Sequence, residues 1–430
     1  MGLKVAVLLG VLVICILIKF PVFLSMCTAV ITFTLCFPDV MNLEVLGQGL
    51  VQGLNNYSYA GVVFFFISGE IMSGGGISHR IIEFFDAAIG HVRGGLSHVN
   101  VLESIVFAGV SGSSMADTTA TGAIMIPAMV KQGYTPEYAT AITIASSSIG
   151  PIIPPSTGMI LLAVYCGAST VHCLMGGLVP GIFMGIFLLI TSLYLSKKRN
   201  FPKSDWKGWK NLWKVFSKNI LALLLPVIII ILLSTGVVTV NEAGAVCCLY
   251  AIIVSCFIYR DLDAKGLLKT LMNAARTSAR LLCLLGMAGI FTWITGSIGV
   301  RSALNTLMEP FIDRPTLLLG LCVLVMLVLG MFMDHSIIMF VIAPMMAPAL
   351  ATAGINMIQF CVVTMVACGM GLITPPVGML IYIGSSIGKA DPIGVVKELV
   401  PFLIALFALL VVLILFPAIT TTLPTLLYGN

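Results

Sequence analysis

The chain has 430 residues, of which 59% are hydrophobic and 9% charged, with 22 Lys and Arg against 17 Asp and Glu. A soluble domain carries about 25% charged residues, so this balance, with a mean hydropathy of +1.12, excludes a soluble fold. The alternation of a transmembrane β-barrel is absent and apolar runs of spanning length recur end to end, which leaves an all-α polytopic protein of the lipid bilayer.

In chain order, full spans are expected at roughly 5–20, 21–37, 57–73, 138–168, 177–195, 220–235, 243–259, 281–300, 357–388 and 399–420. The first is read as a retained span rather than a signal peptide, because no small-residue cleavage site follows Lys19. The fourth and ninth of the long apolar stretches contain Pro154-Pro155 and Pro375-Pro376, and each is expected to break in mid-membrane. Segments 97–131 and 315–350 read as helix, break and helix, two re-entrant hairpins. The twelve cysteines form no C-x-x-C and lie mostly in apolar runs, which suggests neither a disulfide framework nor a zinc site.

Two stretches repeat one pattern. Asp117, Pro127 and Met129 match Asp334, Pro344 and Met346 at an offset of 217, and Gly133, Gly150, Ile152, Pro154 and Pro155 match Gly354, Gly371, Ile373, Pro375 and Pro376 at 221. Matched Gly/Pro-interrupted segments in two halves of a membrane protein point to a transporter site. Charge adds to this. With 196–219 fixed in the cytoplasm, 19 of the 22 Lys and Arg fall inside, and only Lys4, Arg301 and Arg314 fall outside. The expected organisation is an inverted repeat: residues 1–195 with an inward-side hairpin, a basic amphipathic interfacial helix over 196–219, and residues 220–430 with an outward-side hairpin.

A carboxylate at bilayer depth costs about 2.5–3.5 kcal/mol and needs compensation. Asp117 has Ser111, Ser113, Ser114, Thr118 and Thr119 beside it, an oxygen-rich set suited to a hard cation. The plainer reading makes Asp117 and Asp334 helix N-caps. The breaks at Gly150, Pro154, Pro155 and Ser156, and at Gly371, Thr374, Pro375 and Pro376, expose helix ends, and N-terminal ends favour anions. Gly112 and Gly330 mark the hairpin breaks. No G-x-x-x-x-G-K-[ST] is present, so no P-loop nucleotide site is expected, nor is a nucleic-acid partner.

Ser111-Gly112-Ser113-Ser114-Met115-Ala116-Asp117, Ile126-Pro127-Ala128-Met129, Gly150-Pro151-Ile152-Ile153-Pro154-Pro155-Ser156 and Gly371-Leu372-Ile373-Thr374-Pro375-Pro376-Val377-Gly378 resemble the large (M, DctM-like) subunit of tripartite ATP-independent periplasmic, or TRAP, transporters. The resemblance runs along essentially the whole chain. It implies a bacterial inner-membrane translocation subunit that works with a small four-helix membrane subunit and a periplasmic solute-binding protein. It implies sodium-driven uptake of organic acids (dicarboxylates, sugar acids or sialic acid) by an elevator motion. Sodium would sit near Ser113, Asp117, Asp334 and Thr374, at the tips and breaks. The chain departs from the family's pattern at Asn356-Met357, Ala367 and Leu380. Alternatives are a stand-alone sodium/carboxylate symporter, a passive channel, or an intramembrane aspartyl enzyme using Asp117 and Asp334. Against the enzyme, neither Asp lies in a Gly-x-Gly-Asp context.

Overall fold

A computed structural model describes residues 2–18 and 20–429; Lys19, expected at the inner surface, lies outside the described residues. Helix is the regular structure among the described residues, with no strand. Helices α1 (Gly2–Leu17), α2 (Val22–Cys36), α3 (Leu43–Leu54), α4 (Ser58–Gly74) and α5 (Ile77–Ile89) lead into the first hairpin, α6 (Gly95–Ser111) and α7 (Ser114–Lys131). The first broken segment is α8 (Pro136–Ser147) and α9 (Thr157–Tyr165), followed by α10 (Thr170–Lys198) and α11 (Trp209–Ser234). Then come α12 (Val240–Ile258), α13 (Ala264–Ser297) and α14 (Val300–Met308). The second hairpin is α15 (Pro315–Phe332) and α16 (His335–Thr352), and the second broken segment α17 (Met357–Gly371) and α18 (Met379–Gly388). Helices α19 (Pro392–Leu415) and α20 (Ala418–Tyr428) close the chain.

Local chemistry sets these boundaries. Thr239 and Glu242 form a reciprocal capping box at the start of α12. Asp391 accepts from the Gly394 amide, with Pro392 in the first turn of α19, where its missing N–H costs nothing. Proline cannot donate a backbone hydrogen bond and disfavours helix in the residue before it, so the two Pro-Pro pairs fall in the gaps between α8 and α9 and between α17 and α18.

Three expectations are corrected. Among the described residues, only five of the ten expected spans are single helices long and apolar enough to cross a membrane; the second hairpin's arms, α15 and α16, are also of that length, and the bent pair α4–α5 covers the expected span at 57–73. The other expected spans are built from shorter helices, α1 and α2 and the broken segments α8–α9 and α17–α18. Second, no helix runs over 196–219. Residues 200–208 are irregular: Pro202 lacks an N–H, and Asn200 and Gly208 take φ of 51° and 82°. Phe201 instead packs on Tyr134 and Tyr138, with ring centroids 4.8 and 4.6 Å apart, and residues from Trp209 onward belong to the membrane helix α11.

The third correction is register. Helices α7 and α16 are both 18 residues long and start 221 residues apart. The same offset relates α8 to α17. The 217-residue match of Asp117 to Asp334 is therefore not structural. Ser113 corresponds to Asp334, and Asp117 corresponds to Ile338.

Candidate functional site: two hairpin tips and two broken helices around a cavity

The first tip is held by hydroxyls and one glycine. Gly112 ends α6 at φ +58°, and Ser113 caps α7, its Oγ accepting from the Ala116 amide at 3.4 Å. Ser111 Oγ accepts from the Ser113 amide at 3.4 Å. Behind the tip lies the first break, with Pro154, Pro155 and Ser156 all buried. A Cβ on Gly112 would collide with the Pro155 carbonyl oxygen, and one on Gly150 would lie 3.0 Å from the Ser113 carbonyl carbon. Tip and break thus touch backbone to backbone, which only glycine allows. Ser156 caps α9 by accepting from the Met159 amide at 3.0 Å.

The second tip is built differently. Asp334 caps α16, accepting from the Ser336 amide at 2.8 Å, with His335 Nδ1 3.7 Å from its other oxygen. A π-turn over Ile338–Ile342 follows within α16. A Cβ on Gly371 would lie 2.8 Å from Gly330 Cα, so α15 and α17 cross at their glycines. The Gly378 amide donates to the Met331 carbonyl at 3.3 Å, and Thr374 Oγ1 donates to the Met370 carbonyl at 2.6 Å. Pro376 is exposed, unlike its buried counterpart Pro155.

The halves interlock. A Cβ on Gly369 of α17 would sit 3.0 Å from the Ser148 carbonyl oxygen beside the first break. One on Gly384 of α18 would sit 2.6 Å from Ile144 of α8, and one on Gly158 of α9 would sit 2.8 Å from Met365 of α17. Between the tips opens a cavity of about 830 Å³. Gly112, Ser113, Ser114, Thr157 and Gly158 line it from the first half, and Asp334, His335 and Ser336 from the second. Its opposite wall is α13, which contributes Arg280 and Cys283. The N-terminal turns of α7, α9 and α16 therefore reach one space, and their amide ends favour negative charge. Of the expected site residues, Gly112, Ser113, Ser114 and Asp334 line this cavity; Ser111, Asp117, Thr118, Gly150, Pro154, Pro155, Ser156, Gly330, Gly371, Thr374, Pro375 and Pro376 are not among its lining residues.

Asp117 does not cap its helix; it lies in the first turns of α7, fully buried. Its Oδ1 is 2.8 Å from Thr121 Oγ1, and the same hydroxyl is 2.9 Å from Oε1 of Glu103 on α6, also fully buried. Ser104 and Ser147 stand beside the Asp117 carboxyl. Ser104 donates to Ser146, Ser146 to Asn100, and Asn100 to Thr143, at 3.0, 3.1 and 2.7 Å. Glu103 Oε2, Asp117 Oδ2, Ser114 Oγ and Thr118 Oγ1 are buried without a protein partner. Thr121 carries one hydroxyl hydrogen and so donates to one carboxylate at a time. The sequence reading missed Glu103, although a carboxylate in an apolar hairpin arm carried the same signal as Asp117. At the matching register of the second hairpin stand Leu324 and Ile338, so the acid pair belongs to the first half alone.

Hairpins, broken helices and an open cavity between them define a multi-pass membrane transporter. The chain belongs to the family described as tripartite ATP-independent periplasmic transporter, DctM component, which it matches over residues 9–419, and it is accordingly a TRAP large permease of the bacterial inner membrane, not an enzyme. It is 34% identical over 394 residues to the Escherichia coli 2,3-diketo-L-gulonate TRAP transporter large permease protein YiaN, covering 92% of each chain. It is 30% identical to the sialic acid large permease SiaM of Vibrio cholerae, over 95% of this chain and 96% of that one. It is 29% identical to the C4-dicarboxylate large permease DctM of Rhodobacter capsulatus, over 98% and 99%. Among solved structures, the YdaH transporter of Alcanivorax borkumensis shares the fold at a TM-score of 0.63 and 13% identity, with 91% and 96% covered. MtrF of Neisseria gonorrhoeae does so at 0.61 and 13%, with 86% and 84% covered.

Proposed function

We propose that this permease imports organic acids in symport with sodium, receiving them from a periplasmic solute-binding protein and working with a small four-helix membrane subunit. The observation that carries sodium coupling is the Glu103–Asp117 pair. Two fully buried carboxylates share one hydroxyl and keep further oxygens unpartnered. As two ionised carboxylates separated from water, such a pair is strongly unfavourable unless a cation or a proton compensates it, and we assign that role to sodium. Carboxylate and hydroxyl oxygens suit a hard monovalent ion. Ser113, Asp334 and Thr374, at the tips and second break, are further oxygen donors for sodium.

Substrate class follows from the relatives, which carry diketogulonate, sialic acid and C4-dicarboxylates by name, and from the amide ends that reach the cavity. The 221-residue register supports an inverted repeat, and the interlocking of α6–α9 with α15–α18 supports their movement as one elevator body. The test is uptake by vesicles that hold the permease with its small subunit and binding protein. Succinate, N-acetylneuraminate and 2,3-diketo-L-gulonate are offered in turn under an inward sodium gradient. One net charge moving through 100 mV supplies about 2.3 kcal/mol, enough for roughly 50-fold accumulation. At least one acid should accumulate, and undiminished uptake after sodium is replaced by choline would refute the coupling.

A further inference from the structure

We propose that Arg280 is the substrate-facing cation of the cavity, taking a carboxylate of the transported acid from the α13 wall. The proposal rests on the organic-acid reading above.

Besides the Cys283 thiol, the charged and titratable side chains that line the cavity are Asp334, His335 and Arg280. Asp334 accepts from the Ser336 amide, and His335 Nδ1, without a hydrogen-bond partner among the described residues, stands 3.7 Å from the Asp334 carboxylate, whose like charge disfavours an anion there. Arg280 is exposed, and none of the described hydrogen bonds or ion pairs engages it. Arginine stays charged at any working pH, and its planar fork matches a carboxylate with two parallel hydrogen bonds. A guanidinium without a protein acceptor, facing hydroxyls and helix N-termini across about 830 Å³, makes a space for an anion with polar substituents.

The helix supports this placement. Lys265, Lys269, Arg276 and Arg280 are all exposed, and at about 100° per residue they fall within about 60° of one face of α13. None of them forms an ion pair among the described residues. A like-signed row raises the local concentration of anions along it, and here it ends at the cavity. The competing source of the same chemistry is a lipid phosphate, since basic residues near a membrane surface attract anionic headgroups.

Cys283 lies in the same wall and is exposed to the same cavity, so it reports occupancy. In a variant retaining Cys283 as its sole cysteine, the rate of alkylation by N-ethylmaleimide is measured in phosphatidylcholine nanodiscs. Succinate, N-acetylneuraminate and 2,3-diketo-L-gulonate are each tested beside their methyl esters. We expect one or more acids to slow alkylation and its ester not to. Arg280→Gln should raise the half-protecting concentration at least tenfold, and Arg280→Lys should raise it less. Protection that is unchanged in Arg280→Gln, or absent with every acid, overturns the proposal. So does protection by phosphatidylglycerol nanodiscs alone, which would assign the guanidinium to lipid. Acid protection without sodium-driven uptake would uphold Arg280 and remove the coupled-importer reading. Sodium-driven uptake that is indifferent to Arg280→Gln would do the reverse.

Discussion

Single side chains decide whether the hairpin core holds an ion or is merely packed. Asp117 is relieved of capping by Ser113, so the carboxylate has no backbone duty that Asn would have to inherit. If the pair binds the coupling cation, Asp117→Asn and Glu103→Gln should each weaken the sodium dependence of uptake at least tenfold while leaving expression and size-exclusion behaviour intact. Wild-type sodium affinity in both variants would show the pair to be structural. Thr121→Val keeps the shape and removes the shared hydroxyl. It leaves one of the two buried carboxylates without the donor it had, which costs about 1–3 kcal/mol, more for charged groups. A lowered thermal midpoint that sodium restores is the expected reading; equal destabilisation with and without sodium would count against an ion at this place.

Between elements, the tips and breaks meet through backbone, and glycine positions report how tightly. Gly112 combines a positive φ with the Pro155 carbonyl at its back, whereas Gly133, at φ +97°, has open space around it. Both Ala substitutions bear the left-handed penalty of roughly 1 kcal/mol. Only Gly112→Ala must also push the tip off the first break. We expect Gly133→Ala to transport nearly normally and Gly112→Ala to lose most uptake while still reaching the membrane. Comparable activity of the two would mean that the tip–break contact is dispensable.

Much at this scale was legible in sequence. Gly, Ser and Pro-Pro are hard to place in apolar helices, so the first tip and both Pro-Pro breaks stood out; the break of the second hairpin, expected at Gly330, falls at Met333 and Asp334, because Gly330 stays inside α15 where it crosses Gly371. Register did not stand out, because matching Asp117 to Asp334 favoured chemical identity over the count of residues from tip to break. The structure aligns Ser113 with Asp334 instead, a hydroxyl cap with a carboxylate cap. Glu103 was hidden because its partner lies 14 positions away across the hairpin turn. The helix expected over 196–219 does not form, because Pro202 and Gly208 interrupt it and only residues from Trp209 onward are helical, as the start of α11. Arg280 was read as one more inner-surface charge, since α13 extends from Ala264, well before the expected span.

Over the whole molecule, contacts between the two halves of the chain fix how they are joined. Arg80 of α5 reaches Asp261 at 2.6 Å and Asn219 at 3.4 Å, and lies over the Tyr259 ring at 3.7 Å, tying the first half to the second. The proposed inversion makes a prediction that does not depend on substrate. If the halves run in opposite directions, the base of the first hairpin at Lys131 faces the cytoplasm, and the start of the second at Arg314 faces the periplasm. Both residues are exposed, so both are open to a reagent. Single cysteines are placed at 131 and 314 after the twelve native cysteines are removed. An impermeant maleimide added to spheroplasts should label position 314 readily and position 131 only after permeabilisation. The proposed elevator movement would carry the tips across the membrane and leave each hairpin base on its own side, so the difference should persist with and without substrate. Equal labelling of the two positions in intact spheroplasts would remove the inverted arrangement, and with it the reason for two opposed hairpins to enclose one cavity.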